Sequence, residues 1–346
     1  MKEAYLYEKL EENKVKCNIC ARECIIAQDK KGFCLTRENK EGKLYSIIYS
    51  WVSSENVDPI EKKPLYHFYP GSLVYSLGTL SCNFRCNHCQ NWRISHAKPD
   101  PSLAVEIPPE EAVEYAIASD CKGIAWTYNE PAIWFEYTYD TAKLAKQAGL
   151  YTVYVTNGYI TLKALKYIAP YLDAFRVDIK AFSDRFYEEI CSAKLQPVLN
   201  SAKKARELGM HVEVINLIIP EKNDSEVEIR ALAKWVYENL GQDTPIHFTR
   251  FTPMHKMSQH YPTPVKTLEK AVEIAKQEGL KYPYIGNVRG HRYENTYHYE
   301  CGALLIERRG FHSIYHEITP EKSCRQCGGK ISITGELVKA RGKIFW

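Results

Sequence analysis

No stretch of this 346-residue chain approaches the length of a membrane-spanning run. Its opening residues, Met1 to Leu10, are charged and helix-like where an export signal would carry an apolar core. Insertion and secretion are thereby disfavoured, no membrane contact is indicated, and the expectation is a cytoplasmic protein. A strong charge imbalance is also missing. The formal net charge is +4, without the basic stripe of a dedicated nucleic-acid binder, so nucleic acid is not indicated as a partner. What the chain does have is apolar material, 45% of residues, enough for one full core plus smaller modules.

It also has twelve cysteines. In a reducing compartment clustered cysteines read as metal ligands and not as disulfides. Cys17, Cys20, Cys24 and Cys34 form an amino-terminal group, Cys82, Cys86 and Cys89 a central triplet, and Cys301, Cys324 and Cys327 a carboxy-terminal group. Cys121 and Cys191 stand alone on apolar segments and read as small buried hydrophobes.

The triplet makes the strongest statement. Ser81-Cys82-Asn83-Phe84-Arg85-Cys86-Asn87-His88-Cys89-Gln90 carries C-x3-C-x2-C directly after the apolar stretch Leu73 to Gly78. Three thiolates on one loop suit three corners of a cubane 4Fe–4S cluster and leave the fourth iron without a protein ligand. Structural zinc would be one ligand short.

Between residues 73 and 286 strand-like and helix-like segments alternate. Strands are expected over 73–78, 123–128, 151–156, 174–180, 211–219, 245–251 and 282–286, with helices over 109–119, 132–147, 200–208, 225–240 and 267–278. Such alternation predicts a parallel α/β sheet. A doubly wound sheet would place a glycine-rich nucleotide loop after its first strand, where this chain has cysteines. The reading is therefore an open (βα)6 partial TIM barrel. On its fourth strand, Phe175-Arg176-Val177-Asp178-Ile179-Lys180 puts apolar residues on one face and Arg176, Asp178 and Lys180 on the other, as expected where an inner face lines a polar cavity.

At the triplet the chain resembles the radical S-adenosylmethionine (SAM) superfamily, whose motif is C-x3-C-x-aromatic-C, with His88 in the aromatic position. The resemblance implies the same fold, a 4Fe–4S cluster on Cys82, Cys86 and Cys89, and SAM chelating the open iron. It implies one-electron cleavage of SAM to methionine and a 5′-deoxyadenosyl radical, with a reductant protein such as a ferredoxin or flavodoxin supplying the electron. Strand-end segments resemble those of glycyl-radical-enzyme activases such as pyruvate formate-lyase activating enzyme. Thr127-Tyr128-Asn129-Glu130-Pro131 stands where those relatives carry Gly-Gly-Glu-Pro, which makes Glu130 a SAM-binding candidate, although both glycines are absent. Thr156-Asn157-Gly158 matches their Thr-Asn-Gly near the SAM carboxylate and ribose. Asp178-Ile179-Lys180 matches their Asp-Leu-Lys, and an acid and a base on one inward face suit the zwitterionic end of SAM; the two could also neutralise each other. Over nearly its whole length the chain is similar to the radical SAM member of the AmmeMemoRadiSam group, through Asp58 to Phe68, Cys89 to Trp92, Thr127 to Pro131, Asn216 to Pro220 and Ile285 to Val288.

The flanking groups define two modules, residues 1–65 and 289–346, around a barrel of residues 66–288. Cys17-x2-Cys20-x3-Cys24-x9-Cys34 lies in a segment too small and polar to fold by burial alone, so a metal organises it, either zinc or a second iron–sulfur cluster. His298-x2-Cys301 and Cys324-x2-Cys327 bracket the strand-rich Ala303 to Glu317, a zinc-ribbon pattern in which His298 replaces the usual cysteine; His291 and His312 are alternative fourth ligands. Functionally, the radical could act on a protein substrate, as in the activases, or on a small molecule or nucleotide. A non-catalytic zinc or iron–sulfur adaptor is the rival reading.

Overall fold

The computed structural model describes residues 1–339; residues 340–346 of the carboxy-terminal module lie outside them. Seven parallel strands follow one another across a sheet in chain order: β1 (Leu73–Gly78), β2 (Gly123–Trp126), β3 (Tyr151–Thr156), β4 (Ala174–Asp178), β5 (His211–Ile218), β6 (Ile246–Arg250) and β7 (Pro283–Gly286). A helix follows each of the first six: α1 (Pro109–Ala118), α2 (Phe135–Gln147), α3 (Leu162–Ile168), α4 (Leu195–Glu207), α5 (Glu226–Leu240) and α6 (Val265–Gln277). Six βα units and a final strand thus build the open partial barrel. One edge of the sheet is β7, and the other is an antiparallel strand, Ser54–Pro59, paired with β1. Residues 54–59, which the sequence places in the amino-terminal module, therefore extend the barrel sheet.

The strand bounds follow from side-chain alternation. On β4, Phe175 and Val177 are fully buried in the core that also holds Val198 and Ala202 of α4, while Arg176 and Asp178 take the opposite face. Gly123 opens β2 because it abuts the neighbouring strand so tightly that a Cβ would stand 2.0 Å from the Tyr151 ring. Helix α4 begins five residues earlier than expected; Pro197 lies in its first turn, where no intrahelical amide is needed.

The amino terminus is not helical. Lys2–Glu3 and Tyr7–Lys9 are strands, paired with Lys43–Ser46 and Val15–Cys17. Ala4 and Leu6 are buried at a two-residue period, and these tertiary pairings override the helical propensity of the charged residues.

The carboxy-terminal module contains an antiparallel sheet of β8 (Thr296–Tyr297), β9 (Leu304–Arg309) and β10 (His312–Tyr315). It packs against Tyr66, Tyr282 and Tyr284 of the barrel. Arg308, buried, lies 3.8 Å over the Tyr66 ring and donates to the Tyr66 carbonyl at 3.0 Å. His67 is fully buried at the same junction, with Nδ1 2.8 Å from the Ser332 carbonyl and Nε2 2.6 Å from the Tyr284 hydroxyl. Those partners assign a neutral ring that donates through Nδ1.

Burial holds the His67 imidazole down to about 4. Because its folded value lies below the ordinary 6.5, its contribution to stability is present above pH 6.5 and is lost as pH falls towards 4, on the order of 3 kcal/mol. The midpoint of urea unfolding should therefore fall between pH 6.5 and 4, and His67→Gln should fall less steeply than wild type. Parallel acid limbs would remove His67 from the account.

Candidate active site

The loop after β1 carries the triplet. Cys82 and Cys86 are buried and Cys89 is half-buried. Two backbone bonds pin the loop to a π-helical turn, Tyr187–Cys191: Arg85 N donates to the Cys191 carbonyl at 3.0 Å and Asn87 N to the Ile190 carbonyl at 2.9 Å. Cys191, the last residue of the turn, is buried, and its backbone carbonyl is what receives Arg85 N. Two N–H groups approach the Cys82 sulfur, Phe84 N at 3.4 Å and Asn157 Nδ2 at 3.7 Å, and the Lys180 ammonium acts on Cys86. Donors and a cation converging on sulfur suit the thiolates of a 4Fe–4S cluster.

The strand-end residues come together around this loop. Glu130, fully buried, accepts from Ala132 N at 3.0 Å, Thr156 Oγ1 at 2.8 Å and Asn157 N at 2.8 Å. It thus caps the short helix Pro131–Trp134 and ties the end of β2 to the end of β3. Burial pushes its carboxyl up to about 7 against the pull of those donors. Asn157 extends the chain of contacts, donating to Asn83 Oδ1 at 2.8 Å inside the cysteine loop.

At the end of β4, Asp178 meets Arg176 Nη1 at 2.8 Å and Lys180 Nζ at 2.8 Å. Burial alone would raise Asp178, but the two cations outweigh it and hold it low; burial would lower Lys180, but Asp178 outweighs it and holds it high. The acid and base are therefore charged and mutually paired, with a second cation on the same carboxylate. His88 is buried beside Phe186, its Nδ1 without a partner, and burial followed by the Lys180 charge pushes it down to about 3. It is a neutral ring at the site.

The Thr127–Pro131 segment departs from the activase pattern in a way the backbone explains. Tyr128 has φ +70°, the left-handed region that glycine enters freely and a bulky residue does not. Contacts hold it there: its hydroxyl donates to Asp58 at 3.2 Å, and its carbonyl accepts from Asn91 Nδ2 at 2.6 Å. Asp58 is buried with Lys63 at 2.6 Å. Asn129 accepts from Thr79 N at 3.2 Å and donates to the Ser81 carbonyl at 2.7 Å, clamping the approach to Cys82. Tyr128, Asn129, Asp58, Lys63 and Asn91 were not site candidates by residue type. They lie in the segments that carry the AmmeMemoRadiSam resemblance, which was the signal available for them.

The carboxy-terminal ligands also converge. His298, Cys301, Cys324 and Cys327 offer ligand atoms that all lie within 4.8 Å of one another, with His298 Nδ1 3.4 Å from both Cys301 Sγ and Cys327 Sγ. Tetrahedral zinc with Zn–S bonds of ~2.3 Å sets its sulfurs about 3.8 Å apart, and this quartet matches. His291 is engaged instead with Glu269 at 3.2 Å. A Cβ at Gly329 would come 2.5 Å from His298 Nε2, so that residue must be glycine for the ring to sit as it does. His298→Ala should cut zinc retention to well below one equivalent, as metal analysis of protein with the amino-terminal and central cysteines replaced would show. Full zinc at unchanged affinity would assign the fourth ligand elsewhere.

Comparison with known proteins agrees with this geometry. Residues 77–233 match the Radical SAM superfamily. The chain is 50% identical over 334 residues to the uncharacterized protein MJ0808 of Methanocaldococcus jannaschii, covering 96% of this chain and 99% of that one. It is 27% identical over 157 residues to the pyruvate formate-lyase-activating enzyme of Clostridium pasteurianum, 44% of this chain and 64% of the enzyme. In fold it is similar to Streptococcus suis SuiB, seen in a crystal structure bound to precursor peptide SuiA, with a TM-score of 0.51 and 15% identity over 67% of this chain and 52% of that one. Among the described residues no helix is long and apolar enough to cross a membrane.

Proposed function

The chain belongs to the radical SAM superfamily, and from that premise we propose that it cleaves SAM reductively at the Cys82, Cys86 and Cys89 loop and directs hydrogen abstraction at a peptide or protein substrate. The observation that carries the SAM-cleavage reading is the meeting of the β2 and β3 ends with the cysteine loop that follows β1, tied together by Glu130 and Asn157. When bound, the cluster supplies the electron that breaks the sulfur–carbon bond of SAM. The chain's own residues position: Glu130 fixes Thr156 and Asn157, Asp178 and Lys180 present both signs of charge to a zwitterion, and His88 offers a neutral ring nitrogen.

The similarity to the Clostridium activating enzyme supports a polypeptide substrate. So does the rim. Trp92, 36% exposed just beyond Cys89, stacks on His255 at 5.0 Å, and Lys256 N donates to the Asn87 carbonyl, which places this aromatic turn beside the cluster loop.

Asp178→Ala and Lys180→Ala should weaken SAM binding by about tenfold or more while leaving iron content intact. The check is a SAM titration read by electron paramagnetic resonance of the reduced cluster. Wild-type perturbation in both variants at equal SAM would make the pair a cavity-lining ion pair only. Deuterium appearing in 5′-deoxyadenosine from a pool of peptides deuterated at glycine Cα supports the polypeptide substrate. Deuterium appearing only from deuterated small-molecule extracts would replace it.

A further inference from the structure

The four amino-terminal cysteines do not gather as the carboxy-terminal ligands do. Among the described residues, the quartet of His298, Cys301, Cys324 and Cys327 forms a group with all ligand atoms within 4.8 Å, whereas no three of Cys17, Cys20, Cys24 and Cys34 meet that spacing. Nor do Cys82, Cys86 and Cys89, the triplet fitted to a cubane. One chain thus supplies both yardsticks, and the amino-terminal sulfurs group with the wider one. They line one cavity together with Arg22, Arg37 and Asn83. Tetrahedral zinc would need sulfurs about 3.8 Å apart, whereas a cubane binds each sulfur at a different iron and spreads them.

The cavity wall points the same way. Arg37 Nε and Asn83 Nδ2 are buried N–H donors without any acceptor, on residues that line the cavity. Leaving such donors unpaired in a buried wall is costly, and sulfurs of a bound cluster would supply acceptors.

The cavity is also joined to the reactive loop. Ser81, the residue before Cys82, donates to the Cys34 carbonyl at 2.6 Å. Arg22 Nε donates to the Asn83 carbonyl at 2.9 Å, and the Asn83 side chain meets Asn157, which meets Cys82 Sγ. Cys17, Cys20 and Cys34 are buried while Cys24 is half-buried, so the site has one side nearer solvent. There Ile25 and Phe33 are exposed, and the Arg22 and Arg85 guanidiniums lie 3.6 and 4.6 Å over the Phe33 ring.

We propose that Cys17, Cys20, Cys24 and Cys34 hold a second cubane iron–sulfur cluster, which passes electrons from a low-potential one-electron donor protein to the cluster on Cys82, Cys86 and Cys89. The relay, but not the cluster, rests on the SAM-cleaving reading above. Each transfer oxidises the donor by one electron, reduces the amino-terminal cluster by one, and returns it to its starting state when the electron moves on. An apolar spot ringed by arginines suits an acidic electron carrier.

The test uses the full chain, reconstituted anaerobically with iron and sulfide. Wild type should hold about eight irons and each half-site variant about four, as two cubanes require. Cys82→Ala/Cys86→Ala/Cys89→Ala should keep a reduced-cluster paramagnetic signal that SAM does not perturb; Cys20→Ala/Cys24→Ala should keep one that SAM does perturb. The relay is read by comparing reductants. With titanium(III) citrate, Cys24→Ser, a milder change at the half-buried ligand, should cleave SAM near the wild-type rate, and with a reduced ferredoxin it should be slower by about tenfold or more.

Wild type with about four irons and one tightly held zinc at the amino-terminal site would overturn the cluster. Equal loss with both reductants would overturn the relay and leave a structural cluster. Absence of SAM cleavage by wild type with any reductant, while the SAM-insensitive signal persists, would overturn the SAM-cleaving reading and the relay with it, and leave the second cluster standing.

Discussion

Cys82→Ala, Cys86→Ala and Cys89→Ala are each expected to abolish 5′-deoxyadenosine formation while leaving the fold nearly unchanged. The two effects separate because the loop is held by its backbone and not by its thiols: Arg85 and Asn87 donate to the Cys191 and Ile190 carbonyls, and Asn129 grips Thr79 and Ser81. Removing one sulfur leaves these bonds in place but deprives a three-ligand cluster of a corner. Chromatographic assay of 5′-deoxyadenosine after anaerobic reconstitution and strong chemical reduction measures the first effect, and urea unfolding the second. A wild-type yield from any of the three, at wild-type iron content, would mean that the reactive cluster lies elsewhere.

Glu136→Ala should produce the largest loss of stability of any single change considered. Arg37 in the amino-terminal module and Glu136 in α2 are paired at 2.5 Å, with side chains 2% and 0% exposed. The guanidinium also donates to the Ile133 carbonyl at 3.1 Å, and the carboxylate accepts from Tyr5 N at 3.1 Å. Truncating the acid strands a buried cation, a loss of about 3–5 kcal/mol. Glu136→Gln keeps the hydrogen-bonding shape without the charge and should fall between wild type and alanine. The order is read from urea midpoints; a loss under about 1 kcal/mol in Glu136→Ala would show that water or a side-chain shift compensates Arg37.

The barrel was legible in the sequence because its strands are short apolar runs set at helical intervals, and β1 and β3 begin and end where the pattern does. What escaped was structure fixed by partners. The edge strand Ser54–Pro59 reads Ser-Glu-Asn-Val-Asp-Pro, with no apolar period, and owes its form to pairing with β1. Helix α3 spans seven residues, too few for periodicity to register, although its cap was in plain view: Thr161 Oγ1 accepts from Ala164 N at 3.1 Å. The π-helical turn that pins the cysteine loop has no sequence signature. At the site, the motif cysteines were readable from type and spacing, and the strand-end residues from their resemblance to the activase segments. The asparagines that bind them together were not, since Asn83, Asn91 and Asn129 act through contacts across the fold.

The Arg308–Tyr66 contact joins residues 242 positions apart in the chain. During synthesis the segment leading into β1 therefore waits, its Tyr66 and His67 uncovered, until the segment carrying Arg308 has left the ribosome. Loop closure over such a distance is slow and comes late. Until that segment arrives, the aromatic surface of Tyr66, Tyr282 and Tyr284 stays uncovered on the growing chain.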